Sequence, residues 1–215
     1  MKFFSESRMH SSNEISGDVP WEFRAGECLP LEILKRHLGG CEDAVRIFRG
    51  CRLVQAGRIR IGRATQIDEA VFLHGGEGIE IGAYVHLATG SAILGGGSCR
   101  LGDFCGIGAG VRLVTGTEDI GGSGLTNPTV PSAFRTVRRG RIEVGSHAVV
   151  FTGSIILPGV TIGEGAVIAT GSMVHHDLKP WAIYAGTPLT CVGNRPKGRI
   201  LDWGRQVLAG NTTPS

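Results

Sequence analysis

"ILPGVTIGEGAVIATGSMV" spans residues 156–174, and within it Ile156, Ile162, Ile168 and Val174 stand six apart. A helix repeats its buried face about every 3.6 residues and a strand every second residue, so neither accounts for this spacing. A short strand followed by a bend does account for it, because each unit buries one aliphatic side chain and then turns. Three such units close a triangular coil of 18 residues, and stacked coils bury the aliphatic columns inside. The same register recurs at Ile61, Ile67, Leu73; at Ile81, Leu87, Ile93; at Leu101, Ile107, Leu113; and at Val144, Val150, Ile156. With Ile162, Ile168, Val174 this makes five triplets, and a glycine follows the first member of each: Gly62, Gly82, Gly102, Gly145 and Gly163.

Successive coils start 20, 20, 43 and 18 residues apart. The residues beyond 18 all fall after the third member of a triplet, so the excursions are expected to leave at one corner of the triangle. The long one, "GTEDIGGSGLTNPTVPSAFRTVRRGR", covers residues 116–141. A long ordered loop on a regular scaffold is commonly functional. The expected organisation is an N-terminal segment with a short helix (1–57), a β-helix (58–180) carrying the loop, and a C-terminal turn and helix (181–215). "PLEILKRHLGG" (30–40) reads as a helix with a glycine stop. "GRILDWGRQVL" (198–208) reads as another, weakened by Gly204. Open solenoid ends would aggregate, so caps are expected. Residues 1–20 and 209–215 are expected to be mobile.

Composition agrees with many tight turns. Glycine provides 35 of 215 residues, hydrophobic residues 41% and aromatic residues 6%, against a usual glycine share of about 7%. A narrow interior of small branched side chains follows. The net charge of +3 does not demand nucleic acid. The basic run from Arg135 to Arg141 reads as a solvated loop or as a contact for a phosphorylated ligand. Six cysteines lack any C-x-x-C pair, which argues against a zinc ribbon or a thioredoxin-like motif. The start lacks the apolar run of a secretory signal, and the chain lacks a stretch of about 18 apolar residues. A reducing cytoplasm is the expected compartment.

The segment "VGSHAVVFTGSIILPGVTIGEGAVIATGSMVHHDLKPWAIYAGTPLTCVG" resembles the C-terminal signature of hexapeptide-repeat acyltransferases. The resemblance, which covers about residues 60–197, implies an all-β fold. It is a left-handed parallel β-helix of hexapeptide repeats with a long excursion loop and short flanking helices. The hand comes from the resemblance alone. "YVHLATGSAILGGG", "LGDFCGIGAGVRL", "EDIGGSGLTNPTVP" and "KPWAIYAGTP" are similar to a narrower subgroup of sugar acyltransferases. That subgroup serves cell-surface polysaccharide (O-antigen) pathways and includes enzymes acting on dTDP-4-amino-4,6-dideoxyglucose. It implies acetyl-CoA as co-substrate, a nucleotide-linked sugar as acceptor, a homotrimer and no metal.

Acyl transfer from a thioester needs a base, a dock for coenzyme A and donors for the tetrahedral oxyanion. Many sugar acetyltransferases of this fold place a histidine just after the coil that precedes the large loop. Here Glu118 and Asp119 follow "GVRLVTGT" instead. Those two acids read either as ligands for a sugar ammonium or hydroxyl, or as caps of the loop. His86, just before the buried Leu87, reads as the base or as a structural turn residue. It is expected to meet Glu118 or Asp119 across a subunit interface. Asn127 reads as a turn residue before proline or as a sugar contact. The resemblance places pantetheine beside Gly153, Ser154, Thr170 and Gly171, and the adenine end near Pro188. Where relatives continue Ala-Lys this chain has Leu189-Thr190, so Arg195 and Lys197 become the candidates for the 3′-phosphate.

Other classes fare worse. Neighbouring residues of a strand point opposite ways, so His175-His176 reads as a solvated turn rather than a chelate. A zinc hydratase of this fold needs three histidines, and His74, His86 and His147 are poorly spaced for it. A non-catalytic scaffold would not need the long loop. Between N- and O-acylation, acids able to pair with an ammonium favour an amino sugar, with a hydroxyl acceptor as the alternative.

Overall fold

The computed structural model describes residues 27–213; the mobility expected for residues 1–20 and 214–215 concerns segments outside the described residues. Three parallel sheets form the sides of a prism. The first face runs from Gly40–Cys41 through Ile59–Ile61, Ile79–Ile81, Cys99–Leu101 and Ile142–Val144 to Thr161–Ile162. The second face holds Arg46–Ile47, Gln66–Ile67, His86–Leu87, Gly106–Ile107, Val149–Val150, Val167–Ile168 and Ala182–Ala185. The third holds Arg52–Val54, Phe72–His74, Ala92–Leu94, Arg112–Val114, Ile155–Ile156 and Met173–Val174. The seven parallel strands of the second face mark about seven turns of a left-handed β-helix.

All fifteen aliphatics of the five triplets lie in one buried cluster. The cluster also extends N-terminally, past the boundary expected at residue 58. Gly40–Cys41, Arg46–Ile47 and Arg52–Val54 pair in parallel with the next coil, aligning Cys41 with Ile61, Ile47 with Ile67 and Leu53 with Leu73. This coil is hidden in the sequence because Cys41 replaces an aliphatic and Glu42 replaces the glycine. Beyond the fifth triplet, Leu178 bridges Ile162 and Tyr184 sits above Ile168. The chain then reverses, and Thr190–Asn194 pairs antiparallel with Ala182–Ala185.

The glycine after each first aliphatic has a packing cause. A Cβ on Gly62 would lie 2.6 Å from the carbonyl carbon of Gly82, and one on Gly163 2.4 Å from the nitrogen of Pro180. Stacked backbones leave no room there. A different pair of columns meets the conformational demand of turning. At the first corner, between the first and second faces, Ala44, Ala64, Tyr84, Phe104, His147, Gly165 and Trp181 all have φ between 55° and 65°. At the second corner Gly50, Ala70, Gly90, Gly110, Gly153 and Gly171 have φ between 58° and 89°. The third corner carries the excursions, as expected. The loop leaves it as a hairpin in which Gly116–Glu118 pairs antiparallel with Val137–Arg139.

Two helices flank the coils. Helix α1 (Leu31–His37) buries Leu34 against the first coil, and Leu38 beyond it is extended rather than helical. Helix α2 (Gly198–Leu208) does not close an end. It lies along the first corner, where a Cβ on Gly204 would stand 2.6 Å from His147 Cε1. The glycine that weakens the helix is the one that lets it dock. All six cysteines are unpaired, and burial pushes the Cys99 and Cys105 thiols up to about 12, which leaves them inert as nucleophiles.

Candidate active site

The candidate groups occupy three separate edges and faces. His86 opens a strand of the second face and its side chain is half exposed. Its Nε2 lies 2.8 Å from Asp68 Oδ2, on the coil below. Sequence reasoning missed Asp68. Its signal was its place two residues after Gln66, the residue one 20-residue coil below His86, on the opposite side of the buried aliphatic.

Glu118 and Asp119 sit at the base of the third-corner hairpin. Glu118 Oε1 pairs with Arg135 Nη2. The other oxygen, Oε2, is buried without a hydrogen-bond partner, and so is Arg135 Nε. Asp119 is turned in and accepts from the Ser123 amide at 3.1 Å, the Ser123 hydroxyl at 2.5 Å and Arg138 Nε at 2.5 Å. The Ser123 hydrogen bonds, with the Arg138 charge, hold its carboxyl below the usual carboxylate range. Asp119 therefore closes the loop, while Glu118 retains a buried acceptor without a partner. Three arginines of the basic run are committed to acids: Arg135 and Arg138 to these two, and Arg141 to Glu143, which lies 2.6 Å from Arg141 Nε. Asn127 Oδ1 accepts from the Thr129 amide at 2.9 Å and hydroxyl at 2.5 Å, holding the turn at φ 116°.

At the second corner, Gly153, Thr170 and Gly171 are exposed and stacked, the Gly171 amide donating to Thr152 O at 2.9 Å. Ser154 points inward, donating to Ala169 O at 3.0 Å and accepting from the Ser172 amide at 3.3 Å. Ser172 Oγ in turn accepts from the Gly186 amide at 3.1 Å. That bond ties the turn containing Pro188, which follows a cis peptide, to the same corner. Ser172 is a second residue the sequence reading missed.

Arg195 is not at this corner. Its Nη1 donates to His147 O at 2.6 Å and to Gly165 O at 3.2 Å, and its guanidinium lies 5.9 Å from the Trp181 ring centre. It fastens the C-terminal segment to the first corner, where its guanidinium is engaged by backbone carbonyls rather than held free for the 3′-phosphate role expected of it. Lys197 immediately precedes α2 and is exposed. His175 and His176 are exposed, their rings 4.8 Å apart and edge-on. Among the described residues no group of three or more His, Cys, Asp or Glu is placed to hold a metal ion. No helix among them is long and apolar enough to cross a membrane.

Within one chain, then, His86 on the second face and the acids of the third corner are not brought together. Two open grooves of about 540 and 560 Å³ run along the first face beside Arg60, Glu80 and Arg100, and neither is lined by His86, Glu118 or the second-corner glycines.

No family model matches the chain. Over 151 residues it is 34% identical to the dTDP-4-amino-4,6-dideoxy-D-glucose acyltransferase of Escherichia coli, spanning 70% of this chain and 76% of that one. A variant of AntD, an N-acyltransferase from Bacillus cereus, was solved with dTDP-4-amino-4,6-dideoxyglucose and coenzyme A. It is 29% identical, with a TM-score of 0.79 over 86% of this chain and 98% of that chain. PerB from Caulobacter crescentus, solved with CoA and GDP-perosamine, shares the fold at a TM-score of 0.52 and 22% identity over 69% of this chain and 57% of that chain. The chain belongs to the hexapeptide-repeat acyltransferase family.

Proposed function

We propose that this protein transfers the acyl group of an acyl-CoA thioester to the amino group of a nucleotide-linked amino-deoxy sugar. The observation that carries this reading is the 34% identity over 151 residues to an enzyme named for a dTDP-linked 4-amino sugar. The geometry supports it at three points. The glycine-lined second corner offers exposed backbone to pantetheine at Gly153 and Gly171, with Thr170 beside them and the Pro188 turn above. Glu118 Oε2 is a buried acceptor with no partner within the chain, and an ammonium or a hydroxyl of the sugar is the partner proposed for it. His86, held by Asp68, supplies a base for the amine. Asn127, Asp119 and Ser154 keep the supporting roles their hydrogen bonds define, and Arg195 is left out of the coenzyme A contacts. Lys197 remains the candidate cation for the 3′-phosphate.

His86 and Glu118 act together when the second face of one copy meets the third-corner hairpin of another, and a homotrimer supplies that contact. The product feeds O-antigen assembly of lipopolysaccharide in the cytoplasm. Acetyl-CoA is the first donor to test. A structure of AntD with dTDP and 3-hydroxybutyryl-CoA makes a longer acyl group the second.

The test pairs each donor with dTDP-linked 4-amino-4,6-dideoxy sugars and with their 4-hydroxy counterparts. Released thiol and product mass are followed, and sedimentation gives the assembly state. Acylation of the amino sugars alone is expected. Turnover of the hydroxy sugars alone would replace the reading with O-acylation, and no turnover or acyl-CoA binding would sink it.

A further inference from the structure

We infer that Asp68 is a positioning residue, and that a line of side chains across three coils fixes His86 as a base with one available nitrogen. The inference rests on the acyl-transfer reading above for its chemistry, but not for its geometry.

Arg46, Gln66 and His86 take the same register on three successive strands of the second face. Arg46 Nη2 donates to Gln66 Oε1 at 2.5 Å, and Gln66 Nε2 donates to Asp68 Oδ1 at 2.7 Å. Asp68 Oδ2 then faces His86 Nε2 at 2.8 Å. The chemistry of each group leaves one assignment of direction. A guanidinium only donates, so Gln66 must turn its carbonyl toward Arg46 and its amide nitrogen toward Asp68. An ionised carboxylate only accepts, so the proton of the neutral imidazole sits on Nε2. Nδ1 is left with a free lone pair.

The surroundings give that nitrogen access. Asp68 is 26% exposed and the His86 side chain 50%, so the carboxylate is the sheltered partner and the imidazole the open one. The same register on the next coil is Gly106, which places no side chain above the ring. An exposed carboxylate–imidazole contact adds little to stability. The consequence of this one is orientation: the line determines which edge of the imidazole meets a ligand.

In the transfer, the sugar amine nitrogen bonds to the thioester carbonyl carbon and the carbon–sulfur bond breaks. The proton lost by nitrogen passes to His86 Nδ1, and the departing coenzyme A thiolate takes it up. The products are an amide and a free thiol, with the base restored.

The test has two arms. Nitrogen NMR of histidine-labelled protein, above the histidine titration range and without substrate, reads the tautomer of His86. Wild type is expected to show the Nε2–H form, and Asp68→Ala a mixture. Steady-state kinetics form the second arm. Replacing His86 by Ala should lower kcat by about 100-fold, within the usual contribution of a general base. Asp68→Ala should lower kcat by about tenfold at an unchanged KM for both substrates, and Asp68→Glu should recover part of it. An unchanged tautomer in Asp68→Ala, or an unchanged kcat beside an active wild type, would overturn the inference. A wild type with the expected tautomer but no turnover would overturn the acyl-transfer reading instead, and leave the positioning role standing.

Discussion

The first and second corners of the prism face the same backbone demand and meet it differently. Both place one residue per coil in the left-handed region, which a side chain resists by roughly 1–2 kcal/mol per residue. The second corner uses glycine in five of its six coils and stays bare. The first corner uses Tyr84, Phe104, His147 and Trp181, and offsets the resistance by stacking. Tyr84 and Phe104 lie 5.2 Å apart, Phe104 and His147 4.9 Å, both pairs stacked with nearly parallel rings. Helix α2 covers that stack. A glycine corner thus remains accessible along its length, while an aromatic corner becomes an internal joint. Under the proposed function the acyl-CoA dock belongs at the glycine corner, and structural fastening at the aromatic one.

The largest expected effect breaks the joint. Gly204→Val drives a side chain into His147 and should cost about 1–3 kcal/mol. Thermal melts would show this as a lower midpoint, with the KM for acyl-CoA unchanged in the folded protein. A shifted KM would mean that α2 also shapes the donor site. The next effect sharpens the role of the bare corner. Asn tolerates the left-handed region, so Gly171→Asn keeps the turn while filling the open space. The KM for acyl-CoA should rise by about tenfold, or roughly 1.4 kcal/mol, with little change in melting. An unchanged KM would reduce the corner to a turn.

A smaller effect comes from acid. Burial in the stack lowers the pKa of His147, aided by Arg195 and opposed by Glu164. The folded state resists a proton that the unfolded chain accepts. This contribution is complete above the ordinary histidine value of about 6.5 and declines as pH falls below it. Melts near pH 7.5 and pH 5.5 should differ more in wild type than in His147→Phe, which keeps a ring in the stack and removes the titration. Equal differences would detach His147 from the acid response. The smallest effect is Arg63→Ala. Arg63 donates to Leu208 O at 2.8 Å and lies over Tyr84 at 5.4 Å. Its loss should lower stability by about 0.5–1 kcal/mol, read from the midpoint of a denaturant titration.

The repeat was legible because inward positions answer to one requirement, an aliphatic every sixth residue. Cys41 satisfies the same requirement with a less telling side chain, so the first coil passed unnoticed. The candidate site was legible only in pieces. Glu118 and Asp119 are neighbours in sequence, yet a serine and an arginine close around one while the other keeps a buried oxygen without a partner. Asp68 and His86 meet diagonally, because Asp68 lies two residues past Gln66, which stacks in register beneath His86. Arg195 looked like a free cation beside the donor turn, and the antiparallel return of the chain carries it to the opposite edge.

The third corner has a consequence for how such a molecule can change. Every excursion departs there, and the long one begins and ends on the paired strands Gly116–Glu118 and Val137–Arg139. The hairpin base works as a socket. Residues 119–136 can be exchanged or lengthened while the glycine edge and the aromatic edge keep their own registers. If the proposed function holds, acceptor choice can drift or be re-engineered by grafting at one edge, with donor handling and folding inherited from the other two.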